Sequence, residues 1–131
     1  MEKSKRVYLV DDDPDDRYLV CEAFTQVSSD ITIIEAIDGQ HFFEIIDTSN
    51  PDFPALILLD VNMPRMDGLE TLGKIMSKPL LAAIPVVMFS TSGNQSLIDQ
   101  AHQAGVRDFF VKPTSFEGYV EFAAKIASYL H

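Results

Sequence analysis

Short runs of consecutive apolar residues alternate along the chain with longer stretches in which apolar residues recur every three or four positions. The first pattern is typical of strands buried on both faces, and the second is typical of helices with one face against a core. Apolar runs predict five strands, at 7–10, 31–36, 55–60, 84–89 and 106–111. This alternation indicates repeated βα units and a parallel sheet that is covered by helices on both sides.

Right-handed crossovers arrange such units as an α/β fold with a five-stranded parallel sheet. The expected class is a (βα)₅ doubly wound, flavodoxin-like sheet with the strand order 2-1-3-4-5. Asp13 and Asp38 are placed to cap the first two helices, and Gly105 is placed to end the fourth. A turn at 48–51 is expected after the second helix, and Pro79 is expected to stop the third.

Composition narrows the classes of function. Ten lysines and arginines oppose twenty acidic residues, which gives a formal net charge of −10. Nucleic acid and anionic membranes require clustered positive charge, so we expect neither as the main partner; a divalent cation or a basic protein surface fits better. Cys21 is the only cysteine, which excludes an intrachain disulfide. With no apolar run long enough for a signal peptide or a membrane span, we expect a cytoplasmic protein.

Polar residues stand where four of the five predicted strands end. They are Asp11 and Asp12 after the first strand, Asp60 at the third, Ser90 after the fourth and Lys112 after the fifth. Ligands bind at the carboxyl ends of the strands in open parallel sheets, so we expect these groups to converge at one edge. Three carboxylates in one place repel each other unless one takes a proton or a cation binds.

A cation at this edge is expected to be Mg²⁺, because Mg²⁺ prefers hard oxygen ligands and keeps several waters. Mg²⁺ and the Lys112 ammonium together would offset the charge of a transferring phosphoryl group. Asp60 would attack the phosphorus and become an aspartyl phosphate, and Ser90 would donate a hydrogen bond to a phosphoryl oxygen.

Helix capping is the simpler explanation for some of the acidic residues. We prefer it for three residues whose positions suit the positive end of a helix dipole, namely Asp13, Asp15 and Asp16. One cap needs one aspartate, so capping does not explain Asp12. Asp60 is not expected to cap the third helix, because Asp67 or its neighbours are closer to that helix.

These motifs, in this order, resemble the receiver domain of two-component response regulators, of which the chemotaxis regulator is the simplest relative. The matching segments are 9–13, 58–64 with 66–68, 85–90 and 111–113, and the resemblance covers essentially the whole chain. It implies a single receiver domain over residues 1–131 with no output domain. It further implies a signalling switch rather than an enzyme, with a sensor histidine kinase or a histidine phosphotransfer protein as donor and an unnamed downstream protein as target.

The resemblance implies roles for the acidic residues and the lysine. Asp60 is implied as the phosphoacceptor, with Lys112 as the cation beside it. Asp12, Asp60 and the backbone carbonyl of Asn62 are implied as Mg²⁺ ligands, and Asp11 is implied to act mostly through water. Asn62 lies next to the phosphorylation site and is also expected to tune the lifetime of the phosphorylated form.

The resemblance also implies the switch. Ser90 is implied as the switch hydroxyl, and Phe109 as the aromatic side chain that rotates inward when Ser90 is drawn to the phosphate. Phe109 has no hydroxyl group, so its coupling is expected to be steric. Thr91 stands where the family often has alanine or glycine, and its bulk is expected to slow the access of water. The family's usual cis Lys–Pro bond implies a cis bond between Lys112 and Pro113.

Two other functions compete with the switch. A phosphohydrolase with an aspartate nucleophile uses a similar sheet, but its usual pattern is Asp-x-Asp and this chain has Asn62 in the third position. A degenerate receiver that only binds partners is disfavoured, because Asp12, Asp60, Ser90 and Lys112 are all present.

The last predicted helix carries an apolar stripe that begins at Phe116. Phe122 and Tyr129 lie at the flank of this stripe. They are expected either to pack under neighbouring side chains or to form a partner surface, including a homodimer through the last two helices.

Overall fold

The computed structural model describes residues 5–46, 54–63 and 66–130. The predicted turn at 48–51 and Pro64 lie outside the described residues. The strands are β1 (Lys5–Val10), β2 (Ile31–Ala36), β3 (Leu56–Asp60), β4 (Val86–Ser90) and β5 (Asp108–Val111). The helices are α1 (Pro14–Val27), α2 (Gly39–Ile45), α3 (Gly68–Met76), α4 (Pro79–Ala82), α5 (Gln95–Gln103) and α6 (Phe116–Leu130). None of these helices has both the length and the apolar character needed to cross a membrane.

The strands form one parallel sheet in the order β2-β1-β3-β4-β5, which confirms the predicted doubly wound class. Val10 of β1 lies opposite Leu59 of β3, and Asp60 lies opposite Phe89 of β4. The ends of the central strands are therefore level. Side chains that follow these ends are brought to the same edge of the sheet.

The sheet separates two hydrophobic cores. In β3, Ile57 and Leu59 face a core formed with α2, α3, α4 and α5, whereas Leu56 and Leu58 face a core formed with α1 and α6. Successive side chains of a strand point to opposite faces, so a strand covered on both sides must be apolar at every position. This requirement explains the uninterrupted apolar run of the central strand.

The predicted helix ends are confirmed where a local contact determines them. Asp13, Asp38 and Asp67 are the N-caps of α1, α2 and α3, and each accepts a backbone N–H at 2.8–2.9 Å. Gly105 follows the end of α5 with φ +107°, a left-handed conformation that favours glycine.

Several element bounds differ from the prediction, among them the start of β1, which is Lys5 and not residue 7. Pro79 ends no helix but begins the short helix α4, where its missing N–H costs nothing at the first helical position. β4 and β5 each begin two residues later than predicted, at Val86 and Asp108. The reason is local: Ile84 N–H donates to the carbonyl of Leu81, and Val106 N–H donates to that of Ala101, so both residues complete helix ends.

The aromatic residues of α6 pack inside the protein. Phe122 is buried and meets Phe110 edge-on, with ring centroids 5.1 Å apart. Tyr129 is partly buried, and its hydroxyl donates to Asp108 Oδ2 at 2.6 Å. Of the two alternatives for this pair, packing under neighbouring side chains is the one observed. Phe116, predicted in the core stripe, is exposed because it is the first residue of the helix.

Gly68→Ala is expected to destabilise the protein. A Cβ at Gly68 would lie 2.5 Å from the carbonyl oxygen of Asp60 and 2.7 Å from Cα of Val61, both backbone atoms. We expect the free energy of unfolding in urea to fall by about 1–3 kcal/mol. Gly73→Ala on the same helix is the control, because a Cβ there meets nothing within 4 Å. The control should be neutral or stabilising by roughly 0.5–1 kcal/mol, and equal losses in both variants would contradict the steric explanation.

Candidate functional site

Three polar side chains are buried where the central strands end. Asp11 follows β1, Asp60 ends β3 and Ser90 ends β4, and their exposed fractions are 0%, 2% and 0%. Asp12 and Asn62, one and two positions further along their loops, are exposed. The edge therefore combines buried polar groups with others that remain in contact with water, as a ligand site requires.

Backbone hydrogen bonds hold this edge beyond the strands themselves. Val61 N–H donates to the carbonyl of Phe89 at 3.1 Å, and Lys112 N–H donates to the carbonyl of Ser90 at 2.7 Å. The hydrogen bonds of the sheet thus continue one residue past β3 and one residue past β5. The positions of the functional side chains therefore depend on the sheet and not on a loop.

Lys112 supplies the positive charge at the centre of the site. Its Nζ lies 3.3 Å from Asp11 Oδ2, 3.3 Å from Asp60 Oδ1 and 2.7 Å from Asp16 Oδ2. The side chain of Lys112 is only 8% exposed. The fifth strand therefore brings its lysine to the same point as the carboxylates of the first and third strands, as the sequence predicts.

The predicted cis bond between Lys112 and Pro113 is wrong. No peptide bond among the described residues is cis. The trans form of an X-Pro bond is preferred by roughly 0.5–1 kcal/mol, and Lys112 reaches all three carboxylates with the trans form. The lysine needs no cis bond to point into the site.

Burial changes the proton affinities of the site. The pKa of Asp60 rises from 3.8 to about 7, chiefly because the carboxyl is buried and secondly because the charge of Asp11 repels it. Lys112 and the backbone N–H of Asn62 oppose this rise. The pKa of Asp11 is also raised, again mainly by burial. Burial alone lowers the pKa of Lys112, but Asp16, Asp11 and Asp60 outweigh that effect and raise it.

The donor set fits a hard divalent cation. Carboxylate oxygens of Asp11, Asp12 and Asp60 all lie within 4.8 Å of one another. A cation among them would relieve their mutual repulsion and favour the ionised form of Asp60. Oxygen ligands with an exposed member such as Asp12 suit Mg²⁺, which binds through few carboxylates and retains water.

Asp16 is the site residue that the sequence analysis missed. It lies in the first turn of α1, as a helix-dipole residue should, but its carboxylate also makes the shortest contact with Lys112. Helical spacing could have identified Asp16 as a site residue. It lies four residues before Val20 and seven before Ala23, and both of these face the core. A carboxylate on that face at the start of α1 points towards the sheet edge.

The proposed switch residues occupy different environments. Ser90 Oγ is buried and accepts the N–H of Ser92 at 3.1 Å, while Thr91 is exposed in the loop. Phe109 is partly buried, lies opposite Met88 in the sheet and packs against the core on the α5 side.

The raised pKa of Asp60 predicts a definite pH dependence of stability. The folded protein keeps the Asp60 proton up to about pH 7, whereas the unfolded chain loses it near the ordinary value of 3.8. The folded state binds more protons in this window, so stability should fall as the pH rises through it in the absence of divalent cations. Asp60→Asn should flatten this fall and be more stable than the parent at pH 8 by about 1–3 kcal/mol. Urea unfolding from pH 5 to 8 in EDTA measures both curves, and a parent stability that rises with pH contradicts the prediction.

Comparison with known proteins agrees with this geometry. The family model for the response regulator receiver domain matches residues 7–123. Chemotaxis protein CheY of Listeria monocytogenes is 37% identical over 100 residues, covering 76% of this chain and 80% of that protein.

Solved structures show the same fold over most of the chain. The phosphorylated cyanobacterial phytochrome response regulator RcpA is 30% identical with a TM-score of 0.86, covering 96% of this chain and 93% of the other. The Mn²⁺-bound form of response regulator Rcp1 is 30% identical with a TM-score of 0.84, covering 96% and 94%. These similarities agree with the order of the strands and with the aspartates and the lysine at the strand ends. This chain belongs to the response regulator receiver family.

Proposed function

We propose that this chain accepts a phosphoryl group on Asp60 from the phosphohistidine of a sensor histidine kinase or a phosphotransfer protein, with Mg²⁺. Phosphorylation then changes the surface offered to a downstream protein through Ser90 and Phe109. Receiver domains as a family are signalling switches that take phosphoryl groups from histidine kinases. The observation that carries the proposal is the Lys112 ammonium, 3.3 Å from each of two buried carboxylates on separate strands, Asp11 and Asp60.

The transfer itself uses the Asp60 carboxylate as the nucleophile. A carboxylate oxygen forms a bond to phosphorus while the bond from phosphorus to the donor imidazole nitrogen breaks, and the imidazole keeps that electron pair and takes a proton from water. Lys112 is already within ion-pair distance of Asp60 Oδ1 and can offset charge on a phosphoryl oxygen without a large rearrangement. Hydrolysis of the aspartyl phosphate later returns the free carboxylate and inorganic phosphate.

Receiver domains generally bind Mg²⁺ at an aspartate cluster, and the grouping of Asp11, Asp12 and Asp60 supports such a site here. Asp12, Asp60 and the backbone carbonyl of Asn62 are the proposed direct ligands, with Asp11 acting through water. When bound, Mg²⁺ supplies positive charge to the phosphoryl oxygens. The exposed Asp12 keeps the site open to water and to the donor histidine.

The proposed switch begins at Ser90. Its hydroxyl oxygen accepts the Ser92 N–H, and its own O–H remains a separate donor that can turn to a phosphoryl oxygen. Such a movement draws in the loop that contains the exposed Thr91 and frees space next to β4. Phe109 is only partly buried on the neighbouring strand, so it can move further into that space by steric contact alone. Phosphorylation adds roughly −1.5 to −2 charges, which biases this equilibrium.

A phosphohydrolase is the weaker alternative. Such a function needs an acid that protonates the leaving group, and the position two residues after Asp60 holds Asn62, whose amide is no acid.

Phosphorylation is tested with a small phosphodonor such as acetyl phosphate, in Mg²⁺, followed by intact-protein mass spectrometry. We expect one phosphoryl adduct, because Asp60 contacts Lys112 and lies close to the carboxylates of Asp11 and Asp12. Asp60→Asn and excess EDTA should each abolish the adduct. Asp99→Asn is the matched control, since it removes an exposed carboxylate on α5 and should leave the adduct unchanged.

The remaining outcomes separate the competing functions. Continuous release of phosphate from many phosphomonoesters would instead support a hydrolase. An unmodified parent protein would support a receiver that acts by binding alone.

Thr91→Ala is expected to shorten the lifetime of the phosphorylated form several-fold. Thr91 is exposed directly after the buried Ser90, where its methyl group can obstruct water that approaches the aspartyl phosphate. The decay of the adduct after removal of the donor measures this lifetime. Thr114→Ala, an exposed threonine past Lys112, is the control. Decay of Thr91→Ala at the parent rate would remove Thr91 as a modulator.

A further inference from the structure

We propose that Asp16 is a positioning residue that holds the Lys112 ammonium in the unphosphorylated protein and competes with the phosphoryl group for it. Phosphorylation of Asp60 would then exchange the partner of Lys112 and release the Asp16 carboxylate in the first turn of α1. This inference rests on the function proposed above, and it adds a residue outside the acidic group of the site.

The contact distances support the competition. Lys112 Nζ lies 2.7 Å from Asp16 Oδ2, but 3.3 Å from both Asp11 and Asp60. The shorter distance is that of a charge-assisted hydrogen bond, and the longer ones are those of weaker ion pairs. In this state the ammonium is therefore held more closely by α1 than by the phosphoacceptor.

The number of donors limits how many anionic oxygens the Lys112 ammonium can bind at once. An ammonium has three N–H donors, and three carboxylates already surround that of Lys112. A phosphoryl group on Asp60 takes over the donor that now faces Asp60, and any further phosphoryl oxygen that binds the ammonium displaces the carboxylate of Asp11 or Asp16. If Lys112 moves towards a phosphoryl group on Asp60, its contact with Asp16 lengthens, because Asp16 belongs to α1 and does not move with the lysine.

Asp16 is the carboxylate whose displacement costs least. Asp11 is fully buried and its Oδ1 is fixed by the Asp13 N–H at 2.9 Å, so losing a charge partner there leaves a buried anion. The Asp16 side chain is 19% exposed, against 0% for Asp11 and 3% for Asp60, so water can replace its lysine. The exchange should consequently take place at α1.

Asp15 provides a matched control within the same helical turn. Asp15 and Asp16 are both acidic residues of the first turn of α1, so they share the same charge and nearly the same position in the helix dipole. Asp15 is exposed, and the contacts of Lys112 are to Asp16 and not to Asp15. A change to asparagine at each position isolates the effect of the contact.

The affinity for a phosphoryl mimic tests the competition directly. Beryllium trifluoride is titrated with Mg²⁺ against the parent, Asp16→Asn and Asp15→Asn, and binding is followed by amide NMR. Asp16→Asn should bind the mimic about 3- to 10-fold more tightly than the parent, the range expected for removal of one partly exposed charge-assisted hydrogen bond. Asp15→Asn should match the parent within about twofold.

A second measurement observes the contact without any phosphoryl group. Lys112 is labelled with a limiting amount of acetic anhydride and its modified fraction is read by peptide mass spectrometry, with Lys125, exposed on α6, as internal reference. Asp16→Asn should raise the labelling of Lys112 relative to Lys125, because the amine loses its shortest contact. Thermal unfolding of all three proteins verifies that they are folded.

The outcomes separate the two proposals. If the parent binds the mimic and Asp16→Asn binds it equally or more weakly, Asp16 does not compete and the exchange is overturned while the phospho-switch stands. If the parent binds no mimic, the phospho-switch and the exchange both fail, whatever the labelling shows. Tighter binding in Asp16→Asn together with higher labelling supports the exchange.

Discussion

The burial of two like charges beside one ammonium is the constraint on which the site depends. Asp11 and Asp60 are buried at the carboxyl ends of β1 and β3, where water cannot stabilise them, and Lys112 is the ammonium that contacts both. Removing an ionised carboxylate from water is costly unless a partner of opposite charge is present. The pKa of Asp60 is raised to about 7, mainly by burial and secondly by the charge of Asp11. A proton or a divalent cation is therefore needed to neutralise the excess negative charge.

The parallel sheet is what makes this unfavourable arrangement possible. The backbone ladder continues past β3 and β5, so the residues at the edge cannot move apart to reduce their repulsion. Two hydrophobic cores, one on each face, hold the strands in place. Close contact between Gly68 and the backbone at the end of β3 fixes the following loop as well. Packing energy distributed over the whole domain thus maintains the repulsion between the buried carboxylates, and this repulsion gives the site sensitivity to cations and phosphoryl groups.

Most helix caps were predicted because hydrogen bonds within one turn decide them, whereas the side-chain contacts of α1 and α6 with the rest of the fold were not predicted. The aspartate caps and the glycine after α5 follow from hydrogen bonds within one turn, and all were predicted correctly. Asp16 also occupies its predicted place in the first helical turn, but its partner Lys112 is 96 residues away along the chain. Phe122 could be placed in the core only by its contacts with β4 and β5. The bond before Pro113 was inferred from relatives and not from local geometry, and it is trans.

The sequence by itself determined the fold class, the order of the elements and the identity of the groups at the strand ends. It could do so because alternation of apolar runs with helical stripes specifies layers, and parallel strands must end at the same edge. Only the tertiary structure decided how closely each carboxylate approaches Lys112, and that Asp16 approaches it most closely. Such differences of a few tenths of an ångström depend on how α1 and α6 pack on the sheet, and no local pattern along the chain encodes that packing.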